Sequence, residues 1–432
     1  MSVQNSKTSS VLDNQNEFLF PCVATLYRDP IVLDHANGAL VTDTEGKEYI
    51  DFFGGILTVS LGHCHPEVVN AMTLQAKKLG HTSTLYASEP QVTAAKKLAE
   101  LTPGELKKTF FTNSGSEANE TAVMLAKIHT GQHEIIALRH GYSGRTHLSV
   151  SLTAHGYYRS IPTPVAGIKH ALAPYCYRCP LDKTPTSCSV ECANDIEELI
   201  QTTTTGQPAA FLAEPIMGVG GFITPHPDYF SVAVGIVRKH GGLFICDEVQ
   251  TAFGRTGEHW FGIEHWGVIP DIMTMAKGIA NGMPVGATVA TADVANSWTG
   301  ATISTFGGNP VAMAATNATI RTMEKERIPE RAKRLGNKLR AALNQFKKDF
   351  NFIGDVRGMG LMQALELVED RTTKAPAKAK TAQLLETAKQ SGLLLGKGGL
   401  YGNVIRIAPP MLITEDEIDI AIERLGRALA TL

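Results

Sequence analysis

Through the middle of the chain, short apolar runs bounded by glycine or charge alternate with stretches whose apolar positions recur every three or four residues. The runs "KKTFFT" (107–112), "EIIALR" (134–139), "AAFLAEP" (209–215) and "GLFICDE" (242–248) predict strands. Between them, "SEANETAVMLAKIH" and "FSVAVGIVRKHG" predict helices. The second ends on basic residues followed by Gly241, as the helix dipole and a glycine cap favour. Strands and helices in alternation indicate a mostly parallel sheet covered on both faces, an α/β fold. From about Pro310 the pattern changes to long amphipathic helices, "PVAMAATNATIRTMEKE" and "IPERAKRLGNKLRAALNQFKKDF", then to strand material in "IGDVRGMGLMQALELVE". A second domain is expected there. The charged, alanine-rich "EDRTTKAPAKAKTAQ" predicts a solvated loop leading into a helix.

At 432 residues the chain exceeds one ordinary core, so a large and a smaller domain are expected, with room for an oligomer interface. A formal charge of −2, with no basic cluster interleaved with aromatics, argues against nucleic acid. No stretch approaches the roughly 18 to 20 apolar residues of a membrane span, and "MSVQNSKTSSVLDNQNE" has neither an apolar core nor arginines, so a cytoplasmic protein is expected. Seven cysteines, an odd count, fit a reducing compartment. Four of them, Cys176, Cys179, Cys188 and Cys192, cluster with zinc-like spacing in "CYRCPLDKTPTSCSVEC". A plain loop whose free cysteines act as small apolar residues is the alternative, and no metal is expected.

In "FFTNSGSEANETAVMLAK" an apolar strand ends, a glycine is flanked by Ser114 and Ser116, and a helix opens with Ser114 and Glu117 spaced as a capping box. Free N–H groups and the positive helix end then point at one place, a phosphate cradle. An ordinary capped helix has the same local pattern. The stretch lacks the three-glycine dinucleotide fingerprint and the P-loop lysine, so a small phosphorylated cofactor fits better. In "GLFICDEVQTAFGRTG", Asp247 and Glu248 stand at a strand's carboxyl end, where ligands bind in open α/β sheets. Neighbours on a strand face opposite sides, so one can meet a ligand and the other structure, unless both merely cap the strand. In "DIMTMAKGIANGMP", Lys277 follows an apolar run; such an ammonium either reaches water along its stem or is held buried for chemistry. Cradle, strand-end acid and lysine are the parts that pyridoxal phosphate requires.

Together, "NSGSEAN", "EPIMGVGGFITP", "LFICDEVQTAFGRTG" and "MAKGIANGMP" resemble the class III aminotransferases, from about residue 20 to the end. The resemblance implies a fold type I pyridoxal-phosphate transferase. Its divisions would be residues 1–60 packing on the small domain, 61–310 as the cofactor domain, and 311–432 as the small domain. It implies Lys277 as the Schiff-base lysine, Asp247 as partner of the ring nitrogen, and Ser114, Gly115 and Ser116 as the phosphate cup. Tyr142 would stack on the ring, although Ser143 stands where the family usually has histidine. Val249 would pack the other ring face and Gln250 would lie near the ring hydroxyl. Thr305 would reach the phosphate of a neighbouring subunit, implying a homodimer with shared active sites, or a dimer of dimers. Arg406 would take the substrate carboxylate, with Glu214 able to pair with it, and Arg145 resembles the distal-carboxylate arginine of 4-aminobutyrate and ornithine aminotransferases.

The expected activity is a ping-pong transamination from an ω- or β-amino acid, or alanine, to glyoxylate or pyruvate. "FFGGILTVSLGHCHPEV", "GDVRGMGLM" and "RIAPPMLITEDE" look closest to that alanine–glyoxylate and β-amino-acid group. Arg145 keeps open a 4-aminobutyrate or ornithine type using 2-oxoglutarate. More remote are a decarboxylase or aminomutase on this scaffold, and a non-catalytic protein that binds the cofactor.

Overall fold

The computed structural model describes residues 7–161, 165–184 and 186–432. Its centre is a seven-stranded sheet of β1 (Leu106–Thr112), β2 (Ile135–Leu138), β3 (Ile168–Ala171), β4 (Ala210–Ala213), β5 (Leu243–Asp247), β6 (Ile272–Met275) and β7 (Gly286–Thr291). Spatial order is β1-β7-β6-β5-β4-β2-β3. Strands β2 to β6 pair in parallel, while β7 runs antiparallel to both β6 and β1. Every residue of β2, β4 and β6 is buried, as expected of strands covered on both faces. The carboxyl ends of β1, β5 and β6 therefore lie on one edge of the sheet.

Helix α1 (Gly115–Thr130) follows β1 directly and buries a face of Ala118, Ala122, Val123, Leu125 and Ala126. Gly131, at φ +68, ends it in the left-handed conformation that glycine adopts without strain. Helix α2 (Tyr229–Lys239) leads into β5. After β7 come α3 (Pro310–Lys325) and α4 (Ile328–Asp349). The predicted strand material then resolves into β8 (Ile353–Met359) and β9 (Met362–Leu367), antiparallel to each other. Helix α5 (Lys378–Gln390) follows the charged loop, then β10 (Gly396–Gly398) and β11 (Val404–Ile407) complete a sheet ordered β8-β9-β11-β10. A third sheet joins residues 33–51 near the start to Leu393–Leu394, which pairs in parallel with Ile50 and Asp51.

Among the described residues no helix is long and apolar enough to cross a membrane.

Candidate active site

The apolar strand β5 needs no polar partner until its last residue, so the chain reaches the sheet edge with two acids in succession. They diverge as strand geometry requires. Asp247, 3% exposed, lines a cavity of about 180 Å³, where Oδ2 accepts from Asn119 Nδ2 at 2.7 Å and Oδ1 from Val249 N at 3.1 Å. Glu248 turns away and folds its own loop, accepting from Thr251 Oγ1 at 2.5 Å, Gly262 N at 3.0 Å and Ile263 N at 2.8 Å. Burial raises both acids, Glu248 to about 7, although the hydrogen bonds oppose it. Asn119 is itself fixed: it donates to Ser143 O at 2.9 Å and accepts from Thr274 Oγ1 at 2.7 Å.

The cavity floor is the start of α1. Ser114 caps the helix, accepting from Glu117 N at 3.3 Å. The expected reciprocal bond goes elsewhere, because Glu117 Oε2 accepts from Asn113 N at 2.7 Å, one residue earlier than a capping box has it. Gly115 and Ser116 line the cavity, and Ser116 Oγ accepts from Arg145 N at 3.1 Å. A Cβ on Gly144, at φ +131, would run into Ser116 Oγ, so only glycine leaves the cradle open. On the opposite wall Lys277 has φ +49, a left-handed conformation that a side chain tolerates only where its surroundings enforce it. Burial brings its amine down to about 8, against the pull of Asp247 and Glu214.

Tyr142, Val249 and Gln250 line the same cavity. Val249 methyls stand 3.0 and 3.2 Å from where a Gly115 Cβ would be. Gln250 Oε1 is buried with no hydrogen-bond partner, an acceptor awaiting a donor from whatever fills the space. An open cradle at a helix N-terminus, a desolvated amine and an orphaned amide oxygen on one cavity fit pyridoxal phosphate.

Arg406 stands on β11, 4% exposed, with its guanidinium 4.7 Å over the Phe53 ring and 5.7 Å from Phe222. Nε donates to Lys397 O at 3.0 Å and Nη1 to Gly218 O at 3.4 Å. Burial lowers its pKa to about 10. The pairing expected with Glu214 is absent among the described ion pairs: Glu214 is fully engaged with the backbone, accepting from Tyr142 N at 3.0 Å and Gly218 N at 2.7 Å. Each carboxylate oxygen thus holds one backbone N–H, while the charge of the acid still acts on Arg406 and Lys277. Burial, then Asp247, pushes Glu214 up to about 8.

The cavity thus brings together Gly115, Ser116, Tyr142, Arg145, Glu214, Asp247, Val249, Gln250 and Lys277. Ser114, Thr305 and Arg406 are outside its lining; Thr305 is exposed between Ile303 and Phe306, themselves exposed apolar side chains. Sequence reasoning missed Asn119 and Tyr158. Asn119 had a readable signal, a polar residue on the apolar face of α1. Tyr158 had none; its ring meets Tyr142 edge-on at 5.3 Å through a loop that only the fold places there. The four cysteines are free, and among the described residues no group of three or more His, Cys, Asp or Glu could hold a metal ion. Cys188 Sγ accepts from Val190 N at 3.3 Å, and burial, with the neighbouring cysteines, holds the thiols of Cys176 and Cys192 above their usual range.

A doubly covered sheet with a cofactor cavity at the carboxyl ends of β1, β5 and β6 defines a fold type I pyridoxal-phosphate enzyme. The family model "Aminotransferase class-III" matches residues 24–429, so the chain belongs to that family; it is a transaminase dependent on pyridoxal phosphate. An alanine–glyoxylate aminotransferase 2 homologue of Arabidopsis thaliana, named as mitochondrial, is 42% identical over 98% of this chain and 87% of its own length. A 5-aminovalerate aminotransferase of Pseudomonas aeruginosa is 36% identical over 90% of this chain and 91% of its own. The crystal structure of an amine transaminase from an uncultivated Pseudomonas species, in its pyridoxal-phosphate-bound form, superposes with a TM-score of 0.89 at 31% identity, covering 96% of this chain and 98% of that one.

Proposed function

We propose that the enzyme moves an amino group from an ω- or β-amino acid, or alanine, to glyoxylate or pyruvate, in two half-reactions that use one site in turn. The observation that carries a carboxylate-bearing substrate is Arg406, buried over two phenyl rings and in no ion pair among the described residues. A desolvated guanidinium without a carboxylate is a strong receptor for one, and its fork suits bidentate binding.

Bound pyridoxal phosphate supplies an electron-poor ring that accepts the electron pair left when the substrate carbon loses a proton. The protein's residues do the rest. Lys277 Nζ would hold the cofactor covalently and, once freed by the donor amine, would take the proton from the amine-bearing carbon and deliver it to the cofactor's former aldehyde carbon; a pKa near 8 suits both tasks. Asp247, steadied by Asn119, would pair with the ring nitrogen and keep it protonated. Gly115 and Ser116 would hold the phosphate at the positive end of α1, the end that Ser114 caps. Tyr142 and Val249 would hold the ring between them, and Gln250 Oε1 would accept from the ring hydroxyl. Glu214 fixes the Tyr142 backbone, and its ionisation near pH 8 tunes the charge beside Lys277 and Arg406. Thr305, exposed beside Ile303 and Phe306, serves the phosphate of a second subunit in a homodimer; exposed apolar side chains of this kind fit burial in an interface. Free thiols fit a cytoplasmic setting.

A 4-aminobutyrate or ornithine type using 2-oxoglutarate is the second reading, supported by Arg145, which stands at the cavity and could meet a distal carboxylate. Alanine, β-alanine, 4-aminobutyrate and ornithine, each assayed against glyoxylate, pyruvate and 2-oxoglutarate, separate the two. The first reading expects kcat/KM for glyoxylate or pyruvate to exceed that for 2-oxoglutarate by tenfold or more. The reverse order would establish the second.

A further inference from the structure

Arg255, in the loop after β5, is 1% exposed and among the largest fully buried side chains. No described ion pair includes it, and burial alone brings its guanidinium down to about 9. What it has are carbonyls. Nη1 donates to Leu361 O at 3.2 Å and to Pro409 O at 2.5 Å, while its own carbonyl accepts from Leu361 N at 3.1 Å. Leu361 lies in the turn joining β8 to β9, and Pro409 lies just past β11, three residues after Arg406. One side chain therefore ties the loop that begins with Asp247 and Gln250 to the sheet that carries Arg406.

The packing around it is backbone against backbone. A Cβ on Gly254 would press on Pro329, one on Gly257 on the Lys333 backbone, and one on Gly360 on the Thr256 carbonyl carbon. The loop is seated without side-chain clearance. Glu258 also reaches across, its N donating to Pro329 O at 2.9 Å and its carboxylate meeting Lys333 Nζ at 2.8 Å, but among the described hydrogen bonds Arg255 is the one side chain of this loop that reaches the sheet carrying Arg406. Its Nε and Nη2 are buried without partners. A buried arginine lacking an acid is unfavourable compared with a hydrocarbon of the same size. What it offers in return is direction: two carbonyls from separate segments, both held by one rigid planar group.

We propose that Arg255 is a positioning residue for substrate recognition, setting the Arg406 strand against the cofactor loop so that Arg406 meets the carboxylate of a substrate whose amine-bearing carbon lies beside Lys277. The inference rests on Arg406 as the carboxylate receptor. Arg255 touches neither substrate nor cofactor in this arrangement; it acts through the Pro409 and Leu361 carbonyls.

The test uses holoenzyme of Arg255→Met, Arg255→Lys and Arg406→Lys, with propionate as an unreactive three-carbon carboxylate. Two dissociation constants are measured from the visible absorbance of the cofactor, one for propionate and one for the cofactor itself. Arg255→Met should weaken propionate by tenfold or more, as Arg406→Lys does, while cofactor affinity stays within threefold. Arg255→Lys should fall between, since one ammonium can keep one of the two carbonyls, and it carries the test if the methionine variant does not fold. Unchanged propionate binding in the Arg255 variants, or an equal loss of cofactor, would overturn the proposal. If Arg406→Lys leaves propionate binding unaltered, the carboxylate receptor has been misassigned and the inference falls with it.

Discussion

Lys277 shows how a single side chain acquires chemistry from its surroundings. An exposed lysine keeps its proton until about pH 10.4. Here burial outweighs the attraction of Asp247 and Glu214 and brings the amine to about 8. The neutral amine is the form that attacks an aldehyde, so protein freed of cofactor should reload with a rate that rises to a plateau just above pH 8. Absorbance followed after mixing with pyridoxal phosphate, at a series of pH values, measures this; a rate still climbing steeply between pH 9 and 10 would contradict it. The lysine, the aspartate and the glycine-flanked turn were legible because each interrupts an apolar pattern. Glu214 was only half legible. Its presence in "AEPI" marked it, but whether it would face Arg406 or the backbone depended on where the Tyr142 and Gly218 N–H groups fall in space. The same limit applies to Arg255, which in "FGRTG" looks like any loop arginine.

At the scale of elements, the site depends on how closely β7 approaches the turn after β1. Gly286 pairs with Thr112, and a Cβ there would collide with the Ser114 carbonyl and Thr112 Oγ1. Gly286→Ala should shift the cup, cost about 1–3 kcal/mol in stability and weaken cofactor binding by tenfold or more. On α2, Gly235 has open space where a Cβ would stand, so Gly235→Ala should be neutral or stabilise by up to about 1 kcal/mol. Thermal unfolding and cofactor titration of both variants check the pair; equal behaviour would contradict the account. Strands β1, β2, β4 and β5 were readable from their apolar runs, and helices α1 to α4 from their period. Strand β7, "GATVAT", was not, since small residues give no bulk signal and its antiparallel direction follows from partners on either side. The pairing of residues 48–51 with Leu393–Leu394 was hidden for another reason: a two-residue strand has no pattern, and its partner lies at the far end of the chain.

For the whole molecule, we propose the division already expected, 1–60 and 311–432 together against 61–310, supported by the sheet that joins residues 33–51 to Leu393–Leu394. This arrangement sets Arg406 on one unit and Lys277 on the other, so substrate recognition and proton transfer meet only when the two are seated together. Arg255 spans that junction. Everything in the account depends on Lys277 being the residue that carries the cofactor. Borohydride reduction of the yellow holoenzyme, followed by digestion and mass mapping of the peptides, tests this most directly. The prediction is a reduced pyridoxyl adduct on the peptide containing Lys277; an unmodified Lys277, with the adduct on another lysine or on none, would contradict it.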